Sequence, residues 1–166
     1  MYRKIEDFAQ SWNYETEITT KLFSNLTDES LNQEVIENGR TLGFIAWHIV
    51  ITLGEMLEKV GLNIDCPPED STVPSNAKEI AETFERAAKS VNEEVKKNWT
   101  DETLLIEDEM YGMIWKRGTT LSSLINHQAH HRGQMTVLMR QAGVPVIGVY
   151  GPAKEEWEAM GMAAMA

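Results

Sequence analysis

Leu121 to Gln134, LSSLINHQAHHRGQ, places three of the four histidines of the 166-residue chain within five positions. On an α-helix, residues four apart lie one turn above each other on nearly the same face, about 6 Å apart at Cβ, so His127 and His131 are spaced to grip one ion together. With His127 as the zero and a turn of about 100° per residue, Leu121, Leu124, Ile125, Met135, Leu138, Met139 and Ala142 fall in an arc from about 20° to about 160°. His131 falls inside that arc at about 40°, His127 at its edge, and His130 outside it at about −60°. The phase predicts an inward-leaning pair, His127 and His131, and an outward His130. Gln134, at about −20°, shares the histidine side and is placed to hydrogen-bond a ring nitrogen or a bound water. Thr119 or Thr120 is the expected cap of this helix, which should end near Ala142, with Gly143 and Pro145 as stop signals.

The rest of the chain also reads as helix. Ile5, Phe8, Trp12, Leu22, Phe23 and Leu26 keep three-and-four spacing and predict a first helix over residues 3–25. Thr27 and Asp28 can cap a short turn through Glu34, before a break at Gly39. Residues 41–60, TLGFIAWHIVITLGEMLEKV, are apolar almost all round in their first half, the pattern of a buried helix, and Gly61 is a good stop. His48 sits on the flank of its main apolar stripe, with Thr52 and Glu55 on the same side. Residues 62–75 hold three prolines and no apolar period, so they read as a crossover loop of the length a bundle with one long connection needs. A third helix should run from Ser75 or Asn76 to about Asn98, with Ile80, Phe84, Ala87, Val91 and Val95 on one face. Residues 99–118 read as a capped turn at Thr100 and Asp101 followed by a short hairpin around Tyr111 and Gly112. Lys154 to Met160 could form a final turn. The expectation is a single all-α domain over 1–166, an antiparallel four-helix bundle with a long connection between helices 2 and 3.

Composition narrows the function classes. With 42% apolar residues the chain can build a real core. Its 15 basic and 26 acidic side chains give a net charge of −11, the wrong sign for general attraction to nucleic acid or an anionic membrane. No apolar run has the length of a signal peptide or a membrane span. One cysteine, Cys66, cannot form an internal disulfide, which suits a reducing compartment. The expected setting is the cytoplasm, with no nucleic-acid or membrane partner.

Neutral imidazole is a good ligand for zinc, nickel, iron and copper, and two rings from one helix plus one from another make a three-histidine face. Such a face leaves coordination positions open, where a cation can hold water of lowered pKa, polarise a carbonyl or take up a thiolate. His48 is the remaining histidine and becomes the third ligand if helix 2 packs beside helix 4. Glu55 is a candidate outer carboxylate, about 10 Å along the helix from His48. Each residue also has a plainer reading. His48 alone would be a hydrogen-bonded core residue, and Trp47, Trp115 and Trp157 packing side chains. Arg132 would be half of a salt bridge, Cys66 an incidental loop thiol, and Glu107, Asp108 and Glu109 a solvated run.

The string HQAHHRGQMTVLMRQAGVP, with the earlier LGFIAWHIV, resembles the DinB superfamily of metal-binding four-helix proteins. The order of its parts is that family's: one histidine in the second helix, then His-x-x-x-His-Arg-Gly-Gln in the fourth, then an Arg and Gly-x-Pro. The resemblance implies a metal site on His48, His127 and His131, with zinc or nickel favoured over iron or manganese, and a homodimer. It implies one of two activities on a small molecule, a transferase or isomerase that uses a low-molecular-weight thiol, or a metal-dependent hydrolase. The competing expectation is a non-catalytic stress-response or interaction protein whose metal site is structural or vestigial.

Overall fold

The structure, a computed structural model, describes residues 1–157 and 159–163. Four helices make up most of it: α1 (Ile5–Phe23), α2 (Leu42–Glu58), α3 (Ala77–Asn98) and α4 (Arg117–Gln141). Two short strands, β1 (Glu107–Met110) and β2 (Met113–Lys116), pair antiparallel, with Glu107 opposite Lys116 and Met110 opposite Met113. Single 3₁₀ turns lie at Ser30–Asn32, Thr103–Leu105 and Lys154–Glu156. The last is shorter than the final turn expected through Met160, a span whose Glu158 lies outside the described residues.

Local signals set most of these limits. The Thr41 hydroxyl accepts from the Phe44 amide and the Asn76 side chain from the Glu79 amide, capping α2 and α3, each cap contributing about 1 kcal/mol. Two further caps come from far along the chain. Asp28, expected to cap its own turn, accepts instead from the Ala77 amide at the start of α3, at 2.8 Å. Asp101 accepts from the Ile5 amide at the start of α1, also at 2.8 Å. These carboxylates put negative charge where each helix presents unpaired amides.

α4 starts at Arg117, ahead of the expected Thr119 or Thr120 cap, and its first turn has no side-chain cap. The hairpin explains the early start: β2 ends at Lys116, and Arg117 donates to Asp108 of β1 from Nε at 2.9 Å. Gly118 is pressed against the carbonyl of Tyr2, where a Cβ would lie 2.1 Å from that oxygen. The Tyr2 amide donates to the Gly118 carbonyl at 3.0 Å, so the N-terminal segment is sewn to the first turn of α4.

α2 packs against α3 and α4, and so does α1. The core is continuous and draws on every helix, including Phe8, Trp12, Ile49, Leu53, Phe84, Val91, Leu124 and Leu138. Burying each large apolar side chain contributes about 1.5–3 kcal/mol, and α2 supplies many of them, as its all-round apolar sequence predicts. Leu121, Leu124, Met135, Leu138 and Met139 of α4 are buried, while His130 is exposed and His131 buried, the orientation that helix phase predicts. No helix among the described residues is long and apolar enough to cross a membrane.

Candidate metal centre

The packing of α2 on α4 brings His48 to His127 and His131. The Nε2 atom of His127 lies 3.2 Å from Nε2 of His48 and 3.1 Å from Nε2 of His131. One ligand nitrogen from each of the three residues falls within 4.8 Å of the others. An ion bonded to two imidazole nitrogens at about 2.0–2.1 Å holds them about 2.8–3.4 Å apart when the angle between the bonds is about 90–109°. The two short separations fall in that range, so the three residues form a group that could hold one divalent cation.

The protonation state agrees with that fit. Burial lowers the pKa of all three rings, and for His127, flanked by the other two, it falls to about 4. All three are therefore neutral at pH 7, the state in which imidazole ligates. Gln134 fixes the tautomer of His131. Its Oε1 lies 2.8 Å from His131 Nδ1, and its amide nitrogen lies 3.2 Å from Nε2 of His130. The side-chain oxygen accepts the Nδ1–H proton of His131, which leaves the Nε2 lone pair facing the other two rings. Among the described residues His127 Nδ1 is buried with no partner, and a buried polar atom left unpaired costs about 1–3 kcal/mol.

One contact that sequence reading missed sets the register of the two helices. The Gln128 side chain donates to the Ile49 carbonyl at 3.0 Å, joining the residue after His127 to the residue after His48. The signal was present, because Gln128 lies about 100° from His127, in the middle of the apolar arc, where a buried amide needs a partner.

Beside the histidines opens a cavity of about 520 Å³, lined by Phe44, Ile51, Met56 and Trp115 and bounded at one end by His48 and His127. Phe44 stacks nearly parallel to His48, at 8° and 6.2 Å between centroids. Glu55 also lines the cavity. Its carboxylate is taken up by Lys59 at 3.1 Å and by the Tyr111 hydroxyl at 2.7 Å, and among the described residues it bonds no imidazole. Trp115 lines the cavity while packing on Tyr111, whereas Trp47 is buried and donates to Ser71. Arg132 makes the salt bridge expected of it, with Glu15. Cys66, packed against Gly54, has its thiol pushed up to about 11 by burial and does not line this cavity.

The sequence model described as the DinB family matches residues 1–163. The uncharacterized protein YrdA of Bacillus subtilis strain 168 is 45% identical over 164 residues, covering 99% of this chain and 98% of that protein. A crystal structure of a DinB-like protein from Bacillus cereus ATCC 10987 superposes with a TM-score of 0.87 at 47% identity, over 90% of this chain and all of that one. The DinB-like protein YjoA of Bacillus subtilis, at 13% identity and a TM-score of 0.68 over 89% of this chain and 99% of that one, shares the fold.

Proposed function

Because this chain belongs to the DinB family, we propose that it is a divalent-metal-dependent enzyme acting on small molecules, with His48, His127 and His131 holding the ion. The observation that carries this reading is the convergence of three neutral imidazoles at one end of a cavity large enough for a small molecule. Zinc or nickel suits the all-imidazole donor set best, and iron or manganese would occupy the same nitrogens. When bound, such an ion supplies Lewis acidity, lowering the pKa of a coordinated water or thiol and polarising a carbonyl.

The chain's own residues then have defined work. Gln134 holds His131 in the ligating tautomer. Gln128 locks α4 against α2 so that the three nitrogens keep their spacing. Phe44, Ile51, Met56 and Trp115 exclude water from the ligand's apolar body. A small-molecule thiol as the nucleophile gives a transferase or isomerase; water gives a hydrolase. A purely structural zinc site calls for a fourth protein ligand, and among the described residues only three His, Cys, Asp or Glu side chains gather there. That observation favours the catalytic reading over a structural or vestigial site in an interaction protein. We read the four helices as an antiparallel bundle, and a second copy of the chain as the expected partner.

The test is metal analysis of protein purified in parallel as wild type, His127→Ala and His131→Ala. This reading expects about one divalent ion per wild-type chain and little in either variant. Equal metal content in all three overturns it.

A further inference from the structure

Arg40 stands beside the candidate metal centre with no carboxylate to hold. Its side chain is exposed and has no hydrogen-bond or ion-pair partner among the described residues, in a chain whose net charge is −11. Arg86, Arg117, Arg132 and Arg140 each pair with an acid. The Arg40 guanidinium lies instead 5.1 Å from the centre of the Phe44 ring. Stacking on a ring face orients a guanidinium and leaves the N–H groups at its edge free for a planar anion.

Arg40, Phe44 and His48 follow one another along the start of α2. Phe44 is nearly parallel to His48 at 6.2 Å between centroids, and this distance and the 5.1 Å stack together put the guanidinium at most about 11.3 Å from the His48 ring. Burial lowers the pKa of His48 and His131, and the positive charge of Arg40 lowers it further at both rings but not at His127. Arg40 therefore flanks the three nitrogens on the side of His48 and His131, while the cavity meets them at His48 and His127.

Phe44 is the wall shared by that cavity and a second groove of about 600 Å³, lined also by Asn38, Gly39, Arg40, Thr41 and Val73. The lining of this groove contains no acid, and the carboxylate of Glu34 nearby is engaged by the Asn38 amide at 3.1 Å. Thr41 accepts from the Phe44 amide at 3.0 Å, which leaves its hydroxyl proton to donate. Glu55 and Glu69 line the cavity and not the groove. Glu55, whose charge Lys59 offsets at 3.1 Å, lies two turns beyond His48, in the direction away from Arg40.

We propose that the groove at Arg40 binds the carboxylate of a small molecule whose other end reaches the three histidines across Phe44. The assignment rests on the reading of those histidines as a metal-dependent site. The guanidinium fork matches a carboxylate with two parallel N–H bonds. One arginine among neutral donors balances one negative charge, whereas a phosphate dianion would leave charge unbalanced on an already anionic chain. Arg40 is thus a specificity-determining residue, which fixes the end of the ligand that faces away from the ion.

Isothermal titration calorimetry of the zinc-loaded protein, with zinc content measured on the same sample, compares 6-mercaptohexanoate with 6-mercaptohexanol. The two share thiol and chain, so their difference reads the anionic group alone. The acid should bind about tenfold more tightly than the alcohol, the effect of one charge-assisted contact. Arg40→Gln, at an exposed position ahead of α2, should remove that preference and leave the affinity for the alcohol unchanged, while Arg40→Lys should keep part of it. Equal affinities, a preference that survives Arg40→Gln, or binding of neither compound overturns the proposal. Zinc-loaded protein without the preference contradicts the Arg40 assignment alone. Protein that takes up no zinc yet keeps an Arg40-dependent preference contradicts the metal-enzyme reading alone.

Discussion

His48 and His127, 79 positions apart in sequence, bring their Nε2 atoms to 3.2 Å across the contact between α2 and α4. Two neutral imidazoles at that separation share one proton at best, and His131 adds a third nitrogen with its lone pair turned the same way. Packing of the two helices and the Gln128 tie to Ile49 hold the rings together.

Gln134→Leu should weaken metal binding without unfolding the protein. The glutamine accepts from His131 and orients it, and loss of such a contact costs about 10–100-fold in metal affinity. Competition against a chromophoric chelator, alongside thermal unfolding of the metal-free protein, separates the two effects. Unchanged affinity would show that the packing of His131 alone fixes its ring.

Arg132→Met should destabilise the fold by about 3–5 kcal/mol, because it leaves a buried carboxylate without its cation. Arg132 is fully buried, pairs with Glu15, and donates to Thr19 at 2.9 Å and to the Tyr150 hydroxyl at 2.7 Å. Adding Glu15→Met should recover much of the loss, since the pair is then replaced by apolar volume. Urea unfolding of both single variants and the double variant gives the coupling, and simple additivity would contradict a paired charge.

These relations also show what the sequence could tell. Helix phase separates buried His131 from exposed His130, Thr41 and Asn76 announce their helices, and Tyr111-Gly112 marks the hairpin turn, with φ of 55° and 77°. These are local signals, written in spacing and in single residues. Arg132 reaches Glu15, Gln128 reaches Ile49, Asp28 reaches Ala77 and Asp101 reaches Ile5 across 49 to 117 positions. No periodicity encodes such pairings, so a salt bridge could be expected for Arg132 but Glu15 could not be named.

Tyr111→Phe should loosen the hairpin more than the protein as a whole. Tyr111 holds a left-handed conformation that asparagine or glycine adopts more readily, and its hydroxyl clasps Glu55 of α2. Global stability should fall by about 1 kcal/mol or less, while amide exchange in residues 107–116 accelerates. Exchange unchanged in that segment would remove the clasp from the account.

Cys66 should react slowly with iodoacetamide at pH 8. Burial raises its pKa from an ordinary 9.0 to about 11, and its thiol donates to the Val50 carbonyl at 3.2 Å. Between these two values the unfolded chain has released a proton that the folded chain retains. The contribution is present below about pH 9 and is lost as pH rises toward 11. Alkylation rates across that window, native against urea-unfolded, check this, and equal rates at pH 8 would contradict it.

The central claim is that His48, His127 and His131 together hold one ion, and anomalous diffraction from crystals of the zinc-loaded protein tests it most directly. The account predicts a single strong peak at the zinc edge about 2.0–2.1 Å from the Nε2 atoms of all three residues, absent in His48→Ala. No peak between the three rings, or a peak there that survives His48→Ala at full height, would contradict it.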